Sequence, residues 1–244
     1  LSWRHIPDVQ PRMMSDELNE AQAVVRANPD YREALAKRGI TDFDLVMIDT
    51  WPAGNFGIEE EQGLRLTLAR SWVRSSPKDN GYARPIEGVT AVVDLIKMEV
   101  IRVEDRGVVP VPPNPGNYAA EFVREFRNGL KPLDISQPEG SSFEVEGHAI
   151  RWQKWHLRIG FTHREGVVLH TVGYEDQGRV RPIMYRASLS ELVVPYGDPS
   201  GDHFRKNVFD LGEAGIGMLA NSLELGCDCL GEIHYLDGVV NNTV

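Results

Sequence analysis

The sequence predicts an α+β protein, a small mixed domain followed by the opening strands of a large antiparallel β-sandwich. Three observations carry that expectation. The first 40 residues have helical caps and periodicity. The pattern changes after Thr41 to short alternating strands. Beyond a proline-rich connection, the chain alternates almost throughout, with glycine-containing turns between the runs.

In the first region Ser15 is the expected N-cap, and Asp16 and Glu17 suit the positive end of a helix dipole. Leu18, Ala21, Val24 and Val25 recur on one helical face. Asn28-Pro29 starts a second helix, with a cap followed by proline at the first helical position, and Gly39 is its natural stop. From Thr41, Phe43, Leu45 and Met47 read as a strand leading to the turn-prone Trp51-Pro52-Ala53-Gly54. Leu64, Leu66 and Leu68 alternate with Arg65, Thr67 and Arg70, which predicts a strand with one wet face. Val89 to Leu95 reads as a buried strand, and Lys97 to Val103 as its hairpin partner.

Val108 to Pro115 holds four prolines, which remove backbone donors and keep the chain extended. This places a small α+β domain over 1–110, a Pro-rich linker and coil over 111–140, and the start of the sandwich over 141–244. In that last part Phe143 to Val145, Ala149 to Phe161, Gly166 to Tyr174 and Arg179 to Tyr196 are alternating runs, and Glu175 to Gly178 is a hairpin connection. Too few strands follow to close a sandwich, so the second domain reads as truncated.

Composition narrows the function. With 26 Lys and Arg against 36 Asp and Glu, the net charge is −10 and the cations are scattered, a surface that repels phosphate backbones. No run approaches the roughly 18 apolar residues of a membrane span. The chain begins Leu-Ser-Trp-Arg-His, without Met or a secretory leader, and so reads as a processed or partial chain. The expected compartment is the cytoplasm, with secretion left open. Cys227 and Cys229 frame one aspartate, too close for a comfortable mutual disulfide and without the second pair of a zinc site. They read as buried thiols, or as one thiol with a partner outside the chain. The seven histidines never form H-x-H or H-x-x-x-H, and no G-x-S-x-G occurs.

Asp210 is the most suggestive acid. It lies in Val208-Phe-Asp-Leu-Gly-Glu-Ala-Gly-Ile-Gly217, and a carboxylate among apolar side chains has the raised pKa that suits a general base. A turn aspartate at a strand end is the simpler alternative. Tyr196-Gly-Asp198-Pro199 reads on residue types as a strand end and turn.

Tyr185-Arg-Ala-Ser-Leu-Ser-Glu-Leu-Val-Val-Pro-Tyr196-Gly-Asp-Pro-Ser, Phe209-Asp210-Leu-Gly212-Glu213 and Asn221-Ser-Leu-Glu-Leu-Gly-Cys-Asp-Cys-Leu-Gly231 closely resemble the copper-containing, topaquinone-dependent primary amine oxidases. Ser136-Gln-Pro-Glu-Gly140, Trp152-x-x-Trp155 and Arg164-Glu-Gly-Val-Val-Leu-His170 are similar too, so the resemblance runs from about Tyr31 to Leu236. It implies oxidative deamination of a primary amine by dioxygen to aldehyde, ammonia and hydrogen peroxide. It casts Asp210 as the base that takes the α-carbon proton, and Tyr196 as the tyrosine that hydrogen-bonds and orients the quinone. Val208 falls at the family's gate position, where several relatives carry an aromatic and a small side chain cannot close a channel alone. Trp51 and Tyr82 fall where relatives line the substrate channel, with ordinary packing as the plain alternative. Asp49 beside them is a turn or surface acid, or an attraction for a substrate's second amine.

Two elements of the family pattern are absent. The sole Asn-Tyr, Asn117-Tyr118, is preceded by Asn114 where the cofactor motif has Thr and followed by Ala119 where it has an acid. The copper histidines are missing as well. Topaquinone and copper(II) are therefore expected on a second polypeptide or a missing portion, in an assembled unit that itself dimerises. The resemblance further implies an inter-chain disulfide from Cys229, with Cys227 as a buried thiol. A non-catalytic remnant of the same fold, acting as a structural or binding module, is the alternative.

Overall fold

The computed structural model describes residues 1–7, 9–189, 191–209, 211 and 215–240, with backbone alone at 207–209. The fold is α+β, two helices with antiparallel sheets. Its contacts form two compact units, Leu1–Phe126 with Val193–Val208, and Arg127–Leu192 with Phe209–Val244. Chain order puts 193–208 with the 141–244 portion, whereas its packing joins it to the first unit.

In the first unit helix α1 spans Ser15–Ala27 and is capped at Met14, one residue earlier than Ser15. The reason is Glu17, whose carboxylate reaches back to accept the Met14 N–H at 2.8 Å. Helix α2, Pro29–Ala36, starts as its sequence dictates, with the Asn28 side chain accepting the Tyr31 N–H at 2.9 Å. Phe43–Leu45 forms a 3-10 turn rather than strand, with Asp42 accepting the Asp44 N–H at 3.1 Å. A local side-chain bond wins there over period-two patterning. Strands β1 (Val46–Pro52), β2 (Leu66–Val73), β3 (Val89–Asp94) and β4 (Glu99–Asp105) then form a four-stranded antiparallel sheet in sequence order. The β3–β4 turn is held by the Asp94 carboxylate, which accepts the N–H of Ile96 at 2.9 Å and of Lys97 at 3.3 Å.

One sheet face carries Val46, Ile48, Ala69, Val73, Val89, Ala91 and Val93 against Ala21, Val25, Tyr31, Ala34 and Leu35 of the helices. Burial pushes the Tyr31 phenol up to about 12. The expected wet face of β2 does not exist, because all eight of its residues are buried. Segment 193–208 lies over that second face. Arg70 Nη1 donates to the Asp202 carbonyl, and Arg205 donates to the Ala53 carbonyl at 3.0 and 3.2 Å and to the Glu61 carboxylate at 2.6 and 3.0 Å. The Asp202 carboxylate in turn accepts the Gly88 N–H at 2.6 Å and Arg106 Nη1 at 2.7 Å. Arg70 thus finds the returning segment where the sequence predicted water, whereas Arg65 just before β2 donates to the Arg12 carbonyl and the Glu17 carboxylate, each at 2.9 Å.

The second unit holds strands β5 (Phe143–Glu146), β6 (Ala149–Trp152), β7 (Trp155–Thr162), β8 (Gly166–Asp176) and β9 (Arg179–Ser188), an antiparallel meander in chain order. The expected single run from Ala149 to Phe161 is broken at Gln153, whose φ of 55° turns the chain between β6 and β7. Gln177 and Gly178, with φ of 49° and 78°, make the two-residue β8–β9 turn. The expected run from Arg179 to Tyr196 also divides, since β9 ends at Ser188 and a separate strand β10 spans Val193–Pro195. It pairs with strand β11, Asn207–Phe209, as a two-stranded ribbon. Val168 and Val172 are the five-stranded sheet's deeply buried apolar side chains among the described residues, while Val180, Ile183, Met184 and Tyr185 of β9 stand 42–84% exposed.

Candidate functional site

Strand alternation sends Ile48 into the helix-side core and Met47, Asp49 and Trp51 to the opposite face of β1. Asp49 stands across from Arg70 on β2, and Trp51 across from Leu68. The chain between β2 and β3 brings up Tyr82 through a turn in which Asp79 accepts the Gly81 N–H at 3.2 Å and Asn80 accepts the Tyr82 N–H at 3.0 Å. Tyr82 then donates its hydroxyl to Asp49 Oδ2 at 3.0 Å and rests its ring edge-on to Trp72, with centroids 5.3 Å apart.

Tyr196 follows directly on β10 and meets Trp51 edge-to-face, with centroids 5.4 Å apart and planes at 67°. Its N–H donates to the Lys206 carbonyl at 3.3 Å, and the Asp198 turn beyond it closes when Ser200 N–H donates to Oδ1 at 2.9 Å. Lys206 completes the group. Its Nζ lies 4.7 Å from the Tyr196 centroid and 5.0 Å from that of Trp51, so one ammonium faces two rings.

The electrostatics follow from partial burial. Burial raises the Asp49 carboxyl above its ordinary value, opposed by the Tyr82 hydroxyl and the charges of Lys206 and Arg74. Burial lowers the Lys206 ammonium, helped by the nearby Arg70 and opposed by Glu87, Asp49 and Asp198. Tyr82 is raised, first by burial and then by the Asp49 charge. The result is a face on which the Asp49 carboxylate lies among the Trp51, Trp72, Tyr82 and Tyr196 rings, with Lys206 against two of those rings and the Arg70 and Arg74 charges nearby.

Four of the sequence candidates, Asp49, Trp51, Tyr82 and Tyr196, thus come together, although Tyr196 is distant from the others in the chain. Asp210 lies outside the described residues. Val208 is placed by its backbone in β11, which ends at Phe209, and its side chain lies outside the description. After Asp210, Leu211 is buried and its N–H donates to Glu191 Oε1 at 2.9 Å. Cys229 is half-buried in a surface turn, with its carbonyl accepting the Gly226 N–H at 2.7 Å. Cys227 is exposed and not the buried thiol expected, because the Glu224–Asp228 bonds curl this segment into a turn that presents its tip outward. Both thiols are free. Among the described residues no cluster of three or more His, Cys, Asp or Glu could hold a metal ion, so copper does not fit here. No helix among them is long and apolar enough to cross a membrane.

Lys206 and the buried Arg205–Glu61 pair escaped sequence reasoning. Neither has a periodic signal, and residues 61 and 205 meet through tertiary packing alone. The weak cue is Arg205-Lys206-Asn-Val-Phe-Asp210, where two adjacent cations precede an apolar-flanked acid.

Two family models cover most of the chain, one described as the copper amine oxidase N3 domain over residues 16–122 and one as the copper amine oxidase enzyme domain over residues 144–244. The chain is 50% identical over 238 residues to a primary amine oxidase of Arthrobacter sp. (strain P1), covering 97% of this chain and 37% of that protein. It is 48% identical over 250 residues to a peroxisomal copper-containing diamine oxidase of Nicotiana tabacum, covering 99% of this chain and 32% of the relative. Among solved structures, a copper-containing benzylamine oxidase from Hansenula polymorpha superposes with a TM-score of 0.80 at 30% identity, over 96% of this chain and 37% of that one. An Aspergillus nidulans amine oxidase shares the fold at a TM-score of 0.59 and 14% identity, over 88% of this chain and 32% of that one. The chain therefore spans about a third of the length of the relatives it matches.

Proposed function

This chain belongs to the copper amine oxidase family, and from that premise we propose that it is one part of a primary amine oxidase. The overall reaction takes a primary amine, dioxygen and water to an aldehyde, ammonia and hydrogen peroxide. The electron pair of the α-carbon–hydrogen bond ends on dioxygen, its proton leaves to a base, and water then releases ammonia from the oxidised carbon. The juxtaposition of Asp49, Tyr82, Trp51 and Tyr196 on one sheet face is the observation that carries the reading. It supports a path for an organic ammonium beside the Tyr196 ring.

In this reading Asp210 accepts the α-proton on its carboxylate, the role of a general base. Tyr196 would donate its hydroxyl to the cofactor and help to orient it. Trp51 and Tyr82 wall the channel, Asp49 attracts the incoming cation, and Val208 leaves the gate position small. The described residues build no copper site, and the sequence lacks the cofactor-tyrosine motif. We assign copper(II) and topaquinone to a second polypeptide or to a portion of the protein outside these residues; a second polypeptide would join through Cys229, in a unit that dimerises. Those groups supply the redox chemistry; this chain supplies proton transfer, orientation and substrate access.

Asp210→Asn tests the assignment in the assembled enzyme. Amide and carboxylate share a shape, but only the carboxylate takes a proton. Amine turnover is expected to fall about 10²–10⁴-fold while the cofactor's visible absorbance persists. Turnover within a few-fold of the parent would place the base elsewhere.

A further inference from the structure

We propose that Lys206 is a tethered ammonium that fills the cation slot between Trp51 and Tyr196, and that it thereby selects monoamines over diamines. The inference rests on the amine-oxidase reading, in which these rings flank the substrate's path. Its physical basis is the geometry of one side chain. The Lys206 Nζ sits 5.0 Å from the Trp51 centroid and 4.7 Å from the Tyr196 centroid, both within the range of a cation–aromatic contact. The two rings meet edge-to-face at 5.4 Å, so they form a corner instead of a flat wall, and a corner suits a small cation.

The neighbouring acid strengthens the case. Asp49 sits two residues before Trp51 on the same strand face, and its charge and that of Lys206 act on each other. Aromatic faces beside a carboxylate are what a distal alkylammonium would seek. In this chain the slot already holds a cation of its own. A diamine whose second ammonium approached would meet a like charge and an Asp49 already partly neutralised. A monoamine brings an uncharged tail instead, which packs on the rings without that repulsion. Selectivity would then come from an introduced repulsion as well as from favourable contact.

The test uses the assembled enzyme and the variants Lys206→Met and Lys206→Arg, with Lys206→Gln as a second neutral replacement should the Met variant not fold. The first readout is the ratio of kcat/KM for a linear alkylamine to that for the α,ω-diamine of the same length. The parent is expected to favour the monoamine. The neutral variants should lower that ratio about tenfold, the factor that one cation–aromatic contact is worth. Lys206→Arg, which keeps a cation on the rings, should preserve it. The second readout needs no turnover. Tetramethylammonium chloride, titrated against matched sodium chloride, should give saturable quenching of indole fluorescence in the neutral variant but not in the parent. That signal should vanish when Trp51→Phe is added. An unchanged ratio, or no quenching gained by the neutral variants, overturns the proposal. If no amine is oxidised by the parent, the amine-oxidase reading fails, and the quenching titration still decides whether Lys206 occupies a cation slot.

Discussion

Tyr196 shows how one side chain can be positioned by contacts that do not involve its reactive atom. The Trp51 ring and the Lys206 ammonium hold its ring, and its backbone N–H is tied to the Lys206 carbonyl. Tyr196→Phe keeps all of these contacts and removes only the hydroxyl. In the assembled enzyme that hydroxyl would donate to a charged cofactor oxygen, and such bonds are roughly twice as strong as neutral ones. The expected outcome is a shifted visible spectrum and a lowered kcat with KM little changed. An unaltered spectrum and rate would reduce Tyr196 to a packing residue. Lys206 belongs to the same scale, since its ring contacts come from one rotamer and not from any strand pattern.

Among the elements, the turn between β7 and β8 is fastened to β9 by one carboxylate. Glu165 accepts from Arg186 Nη1 and Nη2 at 2.8 and 2.6 Å and from the Ser188 hydroxyl at 2.8 Å. The Arg186 guanidinium first, and the Ser188 hydroxyl after it, hold the Glu165 carboxyl down at about 2. Because this folded value lies below the unfolded one, the group's contribution to stability is fully present above about pH 4.5 and disappears as pH falls through about 2. A carboxyl-resolved NMR titration should find Glu165 with its midpoint near 2, and Arg186→Met should return it toward the ordinary glutamate range. A midpoint near 4.5 in the parent would mean that the fastening does not persist in solution. Gly88 just before β3 illustrates a different constraint. Its φ is +76°, and a Cβ there would lie 2.3 Å from the Gly107 carbonyl oxygen, so only glycine allows that backbone approach.

For the whole molecule, the apolar surface of the second unit is the telling quantity. A sandwich buries two inner faces against each other, yet β9 presents Val180, Ile183, Met184 and Tyr185 to solvent. An assembled oxidase would cover this exposed strand with further strands, through an interface that is large and apolar like a core cut in half. Cys229 makes this measurable. It is a free thiol here, and the proposed assembly pairs it with a cysteine on the second polypeptide. Electrophoresis without reductant should carry this chain in a heavier band that reductant converts to 27.4 kDa. A free 27.4 kDa band without reductant would rule the inter-chain disulfide out.

By itself the sequence determined the α+β class, the second helix start at Asn28-Pro29 and the tight turns after β3 and β8, and through family resemblance it pointed to Asp49, Trp51, Tyr82 and Tyr196 as candidates. These are legible because caps, glycine turns and hydrophobic periods act between near neighbours, so each is written where it operates. Met14 as the cap, the 3-10 turn at Phe43 and the breaks at Gln153 and after Ser188 were decided by side-chain bonds or single dihedrals that periodicity averages over. The burial of both faces of β2 and the Lys206–Trp51–Tyr196 corner were decided by tertiary structure alone. Both depend on segment 193–208 returning across the first sheet. A strand arginine such as Arg70 specifies only that its guanidinium needs polar partners. Whether water or a distant stretch of chain provides them is settled by packing.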